Sequence, residues 1–220
     1  AEIPQVNFPD PDSEALIDAK PDVIIASGHN RKGDEDPFAL IKEAGICVVY
    51  IPSSYSIDGI CGDIEFIAAL TGTEEKGREM VNEYMEEVDK IKAIGETITE
   101  KKSVYFEIAP APDLSSFGQN TFLNEFIEAV GATNIFAEQE GWIRPSAESV
   151  LEANPDVILT NVSYVEDSVE EIKGREGWDA VNAVKNNNVS LIDSNPSSRP
   201  SQFSIKALKQ IAKAVYPDEY

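Results

Sequence analysis

Residues 12–26 read DSEALIDAKPDVIIA, and residues 146–160 read SAESVLEANPDVILT. Aligned without gaps, six of the fifteen positions are identical: Glu14 and Glu148, Ala19 and Ala153, Pro21 and Pro155, Asp22 and Asp156, Val23 and Val157, Ile24 and Ile158. Each copy opens on a polar residue suited to capping a helix and runs through a short helical pattern. A proline then stops the helix, and an apolar, β-branched run follows. The second copy begins 134 residues after the first, at position 146 against 12. A helix-to-strand unit used twice at that separation predicts two lobes of similar design. So long a period, seen twice, does not suggest a solenoid.

Reading outward from the repeat, similar segments follow each copy. The first is followed by a loop over 27–36, a helix opened by Pro37 and closed near Gly45, and a strand over 46–51. The second is followed by a loop over 161–166, helical patterns through Val184, and a strand over 189–192. A further strand over 104–108 precedes a helix over about 121–130, which Gly131 is placed to cap. Strands alternating with helices predict an α/β fold with parallel sheets covered on both faces.

Between the two repeat copies, Val81, Tyr84, Met85, Val88, Ile91, Ile94 and Ile98 recur at helical spacing after the plausible N-cap Thr73. A helix of about 25 residues would span ~37 Å. The expected organisation is an N-terminal lobe over 1–72, one bridging helix over 73–98 and a C-terminal lobe over 99–220. The last helix is expected to pack back towards the N-terminal lobe.

The totals narrow the function classes. Of 220 residues, 42% are hydrophobic and 26% charged, ordinary for a globular protein. Forty Asp and Glu against 18 Lys and Arg give a formal charge of −22, a surface that repels nucleic acid and anionic lipid. No apolar stretch approaches the ~18 residues of a membrane span, and no basic-then-apolar leader is present. Cys47 and Cys61 lack Cys-x-x-Cys spacing and read as two buried thiols, with a disulfide as the alternative in an exported protein. One histidine and no cysteine cluster exclude a closed structural zinc site. There is no Gly-x-Ser-x-Gly elbow, no phosphate-cradling loop and no His-Glu-x-x-His, so the chain does not read as an enzyme and implies no cofactor.

The segments KPDVII (20–25), the long helical stripe, GQNTFLNEFIEAVGATNIF (118–136), GW (141–142), SAESVLEANPDVIL (146–159) and the terminal YP (216–217) together resemble a known family. They are similar to the substrate-binding proteins of ABC importers for ferric siderophores, haem and cobalamin, the helical-backbone (class III) periplasmic binding proteins. The resemblance implies a two-lobed α/β fold joined by one helix, an extracytoplasmic location (periplasm or cell-surface lipoprotein) and a monomer that meets a permease dimer. The expected cargo is a small-molecule iron chelate, a ferric siderophore before cobalamin or haem. It also implies that the chain starts within the N-terminal lobe, without that lobe's first strand–helix–strand portion. Other readings are a chelatase-like enzyme on a related scaffold and a surface receptor that has lost transport.

Ligands of open parallel sheets sit beyond the carboxyl ends of the strands. In this chain that places the loops 27–36, 52–58, 109–120, 161–166 and 193–203 at the site, with the Trp142 segment beside them. Several of the few cations fall there: Arg31, Lys32, Arg144 and Arg199. Guanidinium forks suit the acidic oxygens of such chelates. By resemblance, Arg199 and Trp142 match cleft positions of the cobalamin-binding members. His29, directly after a strand, and Tyr55, Phe117 and Tyr164, as apolar walls with or without a polar tip, complete the expected ligand contacts. Glu14 and Glu148, at the same place in the two repeats, are expected to dock the permease, as the resemblance implies. A glutamate in a first turn is also favoured by the helix dipole alone, by up to ~1 kcal/mol.

Overall fold

The computed structural model describes residues 6–7, 11–30 and 36–220, apart from the His29 side chain. The chain forms two compact units that divide between Ser53 and Ser54.

In the first unit, helix α1 (Ser13–Ala19) leads to strand β1 (Val23–Ser27), and helix α2 (Ala39–Glu43) leads to strand β2 (Cys47–Ile51). The two strands pair in parallel, Val23 opposite Cys47 through Ser27 opposite Ile51. Ala26, Phe38 and Ile41 form the buried centre, with Leu16, Ile17, Ile24, Val48 and Tyr50 packed on it. Asp36 fixes the turn into α2, accepting from Lys42 Nζ, Tyr50 Oη and the Phe38 N–H. The Lys42 ammonium, with the tyrosine and backbone donors, holds the Asp36 pKa down at about 2. Cys47, expected to be buried, is exposed because it begins a strand whose sheet has one partner strand; Cys61 is half-buried, and both thiols are free.

The second unit opens with helix α3 (Ile57–Thr71), capped by Ser56 and by Glu125, whose carboxylate accepts from the Ile57 N–H at 2.7 Å. Helix α4 (Glu74–Gly95) follows as one unbroken element. Thr73 stands at its N-cap position without capping it, its hydroxyl turning back to Thr71 and the Ala68 carbonyl. The sequence reading drew a boundary at residue 72; in the structure α3 lies along α4 in the same unit, through Ile60, Ile64, Tyr84 and Val88.

The remaining elements are strands β3 (Ser103–Glu107) and β4 (Ser116–Phe117), helix α5 (Phe122–Ala129), and strands β5 (Thr133–Asn134) and β6 (Trp142–Ile143). Helix α6 (Ala147–Ala153), strand β7 (Val157–Thr160), helices α7 (Ser168–Lys173) and α8 (Asn182–Lys185) and strand β8 (Val189–Leu191) come next. Helices α9 (Ser194–Ser198) and α10 (Ile205–Val215) end the chain.

Four strands form a parallel sheet in the order β5-β3-β7-β8. Strand periodicity sorts its residues between two cores. Val104, Phe106, Val157 and Leu159 face α3, α4, α5 and α10, whereas Tyr105, Ile158 and Val189 face α6, α7, α8 and Trp178. The sheet is therefore sandwiched, as continuous apolar strands require. At one end of this core α4 crosses α5 with backbone on backbone. A Cβ on Gly95 would lie 2.3 Å from the Ala129 carbonyl oxygen, and one on Gly131 would lie 2.5 Å from that of Gly95. Helix α10 packs on α4 and α5, and Lys209 pairs with Glu87.

The repeat is reproduced in detail. Both α1 and α6 have seven residues, both are capped by the side chain before them (Asp12, Ser146), and both exit through a left-handed residue, Lys20 (φ 49°) and Asn154 (φ 45°). The proline follows that exit in both copies. Asp156 then accepts from the backbone N–H and the hydroxyl of Ser103 at 2.9 and 2.8 Å, which ties the start of β7 to the start of β3.

Candidate functional site

The carboxyl ends of β7 and β8 open towards a set of loops that one buried amide arranges. The Asn161 backbone N–H donates to the Glu107 carbonyl at 3.2 Å, and its side-chain Nδ2 donates to the hydroxyls of Ser197 and Ser198 at 3.0 and 3.2 Å. This holds α9 against the end of the sheet. After α9 the chain runs through Arg199 in extended conformation, and Ser201 caps a single 3-10 turn over Gln202–Ser204. The buried Ser204 hydroxyl meets Tyr84 Oη at 2.9 Å, which moors the turn to α4. Burial pushes the Tyr84 pKa up to about 12, so this contact stays neutral at physiological pH.

These segments line an open cavity of about 820 Å³, with Ser163, Asp193, Asn195, Arg199, Phe203 and Lys206 among its lining residues. The volume is in the range of small-molecule sites. Phe203 is 57% exposed, and the Lys206 ammonium lies 5.5 Å from its ring centroid. Among the described residues Lys42, Lys90, Lys173, Arg175 and Lys209 reach carboxylates, and Arg199 and Lys206, like the other described Lys and Arg residues, do not.

A second feature is the short antiparallel ribbon of β4 and β6, in which Phe117 lies opposite Trp142. The rings meet edge to face, 6.0 Å apart at 82°. Gly118 makes the ribbon possible: a Cβ there would lie 2.0 Å from the Gln139 carbonyl oxygen. Trp142 is half exposed. Phe117, expected to meet a ligand, is instead fully buried in the core against Phe106, where it backs the tryptophan. It ends β4, and the pairing of that strand with β6 is invisible in a two-residue segment.

Of the other expected contacts among the described residues, Arg199 lines the cavity. Arg144, Tyr55 and Tyr164 are exposed outside its lining. The side chain of His29, together with Arg31 and Lys32, lies outside the described residues. Sequence reasoning named the loops of Ser163 and Phe203 without naming those residues, and it missed Lys206. The available signal was a cation in the first turn of α10, at the helix end where the dipole disfavours positive charge.

A buried charge cluster was also unforeseen. Arg175 donates to both oxygens of Glu107, at 2.7 and 2.8 Å, and to both of Glu171, while its guanidinium stacks 4.6 Å from the Trp178 ring centroid. Burial opposes the Arg175 charge, but the two carboxylates overcome that cost and raise its pKa. Because Glu107 ends β3, the cluster clamps α7 to the sheet next to the loop that carries Ser163 and Tyr164.

On the repeat helices, Glu14 and Glu148 each stand second in the helix, and both are exposed. Among the described residues no group of three or more His, Cys, Asp or Glu could hold a metal ion, and no helix is long and apolar enough to cross a membrane.

Comparison with known proteins places these features in context. The sequence profile described as "Periplasmic binding protein" matches residues 4–196. An uncharacterised ABC transporter substrate-binding lipoprotein of Bacillus subtilis, YvrC, is 31% identical over 94% of this chain and 66% of its own length. A cobalamin-binding protein of Halobacterium salinarum is 29% identical over 68% of this chain and 40% of its own. The chain thus spans two thirds or less of these curated relatives. A crystal structure of a possible iron-binding (periplasmic solute-binding) protein from Staphylococcus epidermidis superposes with a TM-score of 0.86 and 32% identity, over 96% of this chain and 83% of that one.

Proposed function

The chain belongs to the periplasmic binding protein family, and on that premise we propose that it is the extracytoplasmic solute-binding component of an ABC importer. In this reading it is a carrier rather than an enzyme, and it captures a metal chelate for delivery to a permease. The observation that carries the reading is the cavity beyond the carboxyl ends of β7 and β8, with Arg199 in its lining. That is where parallel α/β sheets bind ligands. Relatives described as iron-binding and cobalamin-binding favour a metal chelate, with a ferric siderophore first and cobalamin, a cobalt chelate, or haem next. The half-exposed Trp142 offers a stacking surface for such a ligand, and Arg144, Tyr164, Tyr55 and His29 are further proposed contacts.

Docking to the permease is assigned to Glu14 and Glu148. Two carboxylates in one structural position of two repeated helices suit a two-fold partner with a basic pocket on each subunit.

The test of the cargo is an absorption spectrum and metal analysis of the purified protein, followed by titration with ferric chelates read by tryptophan fluorescence. Arg199→Ala should weaken an anionic chelate by about 1.5–3 kcal/mol, the loss of a charge-assisted hydrogen bond. Unchanged affinity in both the Arg199→Ala and Trp142→Ala variants would refute the placement.

A further inference from the structure

We propose that Asn161 is the positioning residue of the cavity, setting α9 as one of its walls through the donor polarity of its side-chain amide. This rests on the chelate-binding reading and deepens it, because Asn161 is not itself among the lining residues. Ser194, Asn195 and Pro196 of α9 are, as is Ser163, two residues after Asn161. Helix α9 has little of its own to hold it. Five residues reading SNPSS are too few to form a helix unaided, serine and asparagine are weak helix formers, and proline brings no N–H. Asp193, at its N-cap position, makes no side-chain capping bond.

A buried polar chain does the holding. Asn161 is 5% exposed and Ser197 1%. The Ser197 hydroxyl donates its single proton to the Asp193 carbonyl, 2.6 Å away. Towards Asn161, 3.0 Å away, that hydroxyl can therefore only accept, so the amide presents Nδ2 rather than Oδ1. The same Nδ2 reaches the Ser198 hydroxyl at 3.2 Å. The other half of the anchor is main chain, the Asn161 N–H donating to the Glu107 carbonyl where β3 ends. One residue thus fixes both α9 and the loop that carries Ser163. A buried amide–hydroxyl pair adds little net stability over apolar side chains of the same shape, but it selects one geometry.

The experiment titrates the whole protein with ferric citrate, ferrichrome, haemin and cyanocobalamin, and follows the tightest-bound of these probes in the variants. Asn161→Asp keeps the side-chain shape and replaces the donor by an acceptor. Its affinity at pH 7 should fall about tenfold or more, the scale of a buried hydrogen bond lost with its partner left unpaired. Lowering the pH to 5 protonates the introduced carboxyl and restores an O–H donor, so the deficit against the natural protein at the same pH should narrow. A residue that served global stability alone would leave the affinity of the folded protein unchanged at both pH values. Ser197→Ala removes the acceptor from the other side, and combining it with Asn161→Asp should cost less than the sum of the two. In the unliganded protein, exchange of the Ser197 amide should quicken in Asn161→Asp. Unchanged affinity in Asn161→Asp, or a loss with no recovery at pH 5, overturns the positioning role while the chelate reading stands. A natural protein that binds none of the probes overturns the chelate reading, and the Ser197 exchange then decides separately whether Asn161 holds α9: an unchanged rate overturns that too.

Discussion

Trp142 and Phe117 show how one aromatic pair divides two duties. Phe117 is buried and carries stability; Trp142 is half exposed and free to meet a ligand. Phe117→Ala should cost about 3–5 kcal/mol in denaturant unfolding, because it empties a packed site beneath the ribbon. Trp142→Ala should leave the unfolding midpoint within roughly 1 kcal/mol, since the ring gives up little buried area, while chelate affinity falls. If the two substitutions cost the same stability, this division is wrong. Lys20 offers a contrasting case. It exits α1 with φ 49°, where the matching residue of the second repeat is an asparagine, which tolerates the left-handed region better. Lys20→Gly should therefore stabilise the first unit by about 0.5–1 kcal/mol, readable as slower amide exchange in α1 and β1. Faster exchange would show that the lysine contributes there in another way.

At the level of elements, the exit of α6 into β7 also carries a pH dependence. Burial alone would raise the Asp156 pKa, but the Ser103 backbone N–H and hydroxyl, with Asn182 and Lys102, lower it overall. A carboxyl lowered in the folded state contributes stability above its unfolded pKa and loses that contribution as pH falls through the folded value. Unfolding followed at pH 6 and at pH 3 should therefore show a smaller acid-induced loss in Asp156→Asn than in the natural protein. Equal losses would remove Asp156 from the account. The two repeats, β2, β3, β8, α4 and α5 were all legible in the sequence within a few residues. Each is set by a local pattern: a cap, a stopping proline, or an apolar run of one period. The ribbon of β4 and β6 was not, because two-residue strands have no period and their pairing depends on Gly118 meeting a distant backbone. The Arg175 cluster was hidden for a related reason. Glu107 and Glu171 look like any other acidic residues until the sheet and α7 bring them to one guanidinium. Of the site, the loops could be read from strand order, but the place of the exposed Lys206 in the cavity lining could not, because a lysine on a helix reads as ordinary surface.

For the whole molecule, Glu14→Ala together with Glu148→Ala should leave chelate affinity unchanged while uptake through the permease collapses. Uptake that survives the double change at low protein concentration would reduce these glutamates to helix-end residues. The chain's formal charge of −22 surrounds a cavity whose lining carries Arg199 and Lys206, so attraction and repulsion act over different distances. At physiological ionic strength the screening length is about 8 Å, short enough for the cavity cations to dominate once a ligand arrives and long enough for the acidic exterior to be felt on approach. An anionic chelate therefore meets a kinetic barrier outside a thermodynamic well. Added salt should speed its association, by lowering the barrier, and also speed its dissociation, by weakening the grip of the two cations. Stopped-flow traces with ferric citrate over a range of salt concentrations would resolve the two rates. A protein of this charge pattern captures slowly and selectively where salt is scarce, and exchanges its cargo quickly where salt is plentiful.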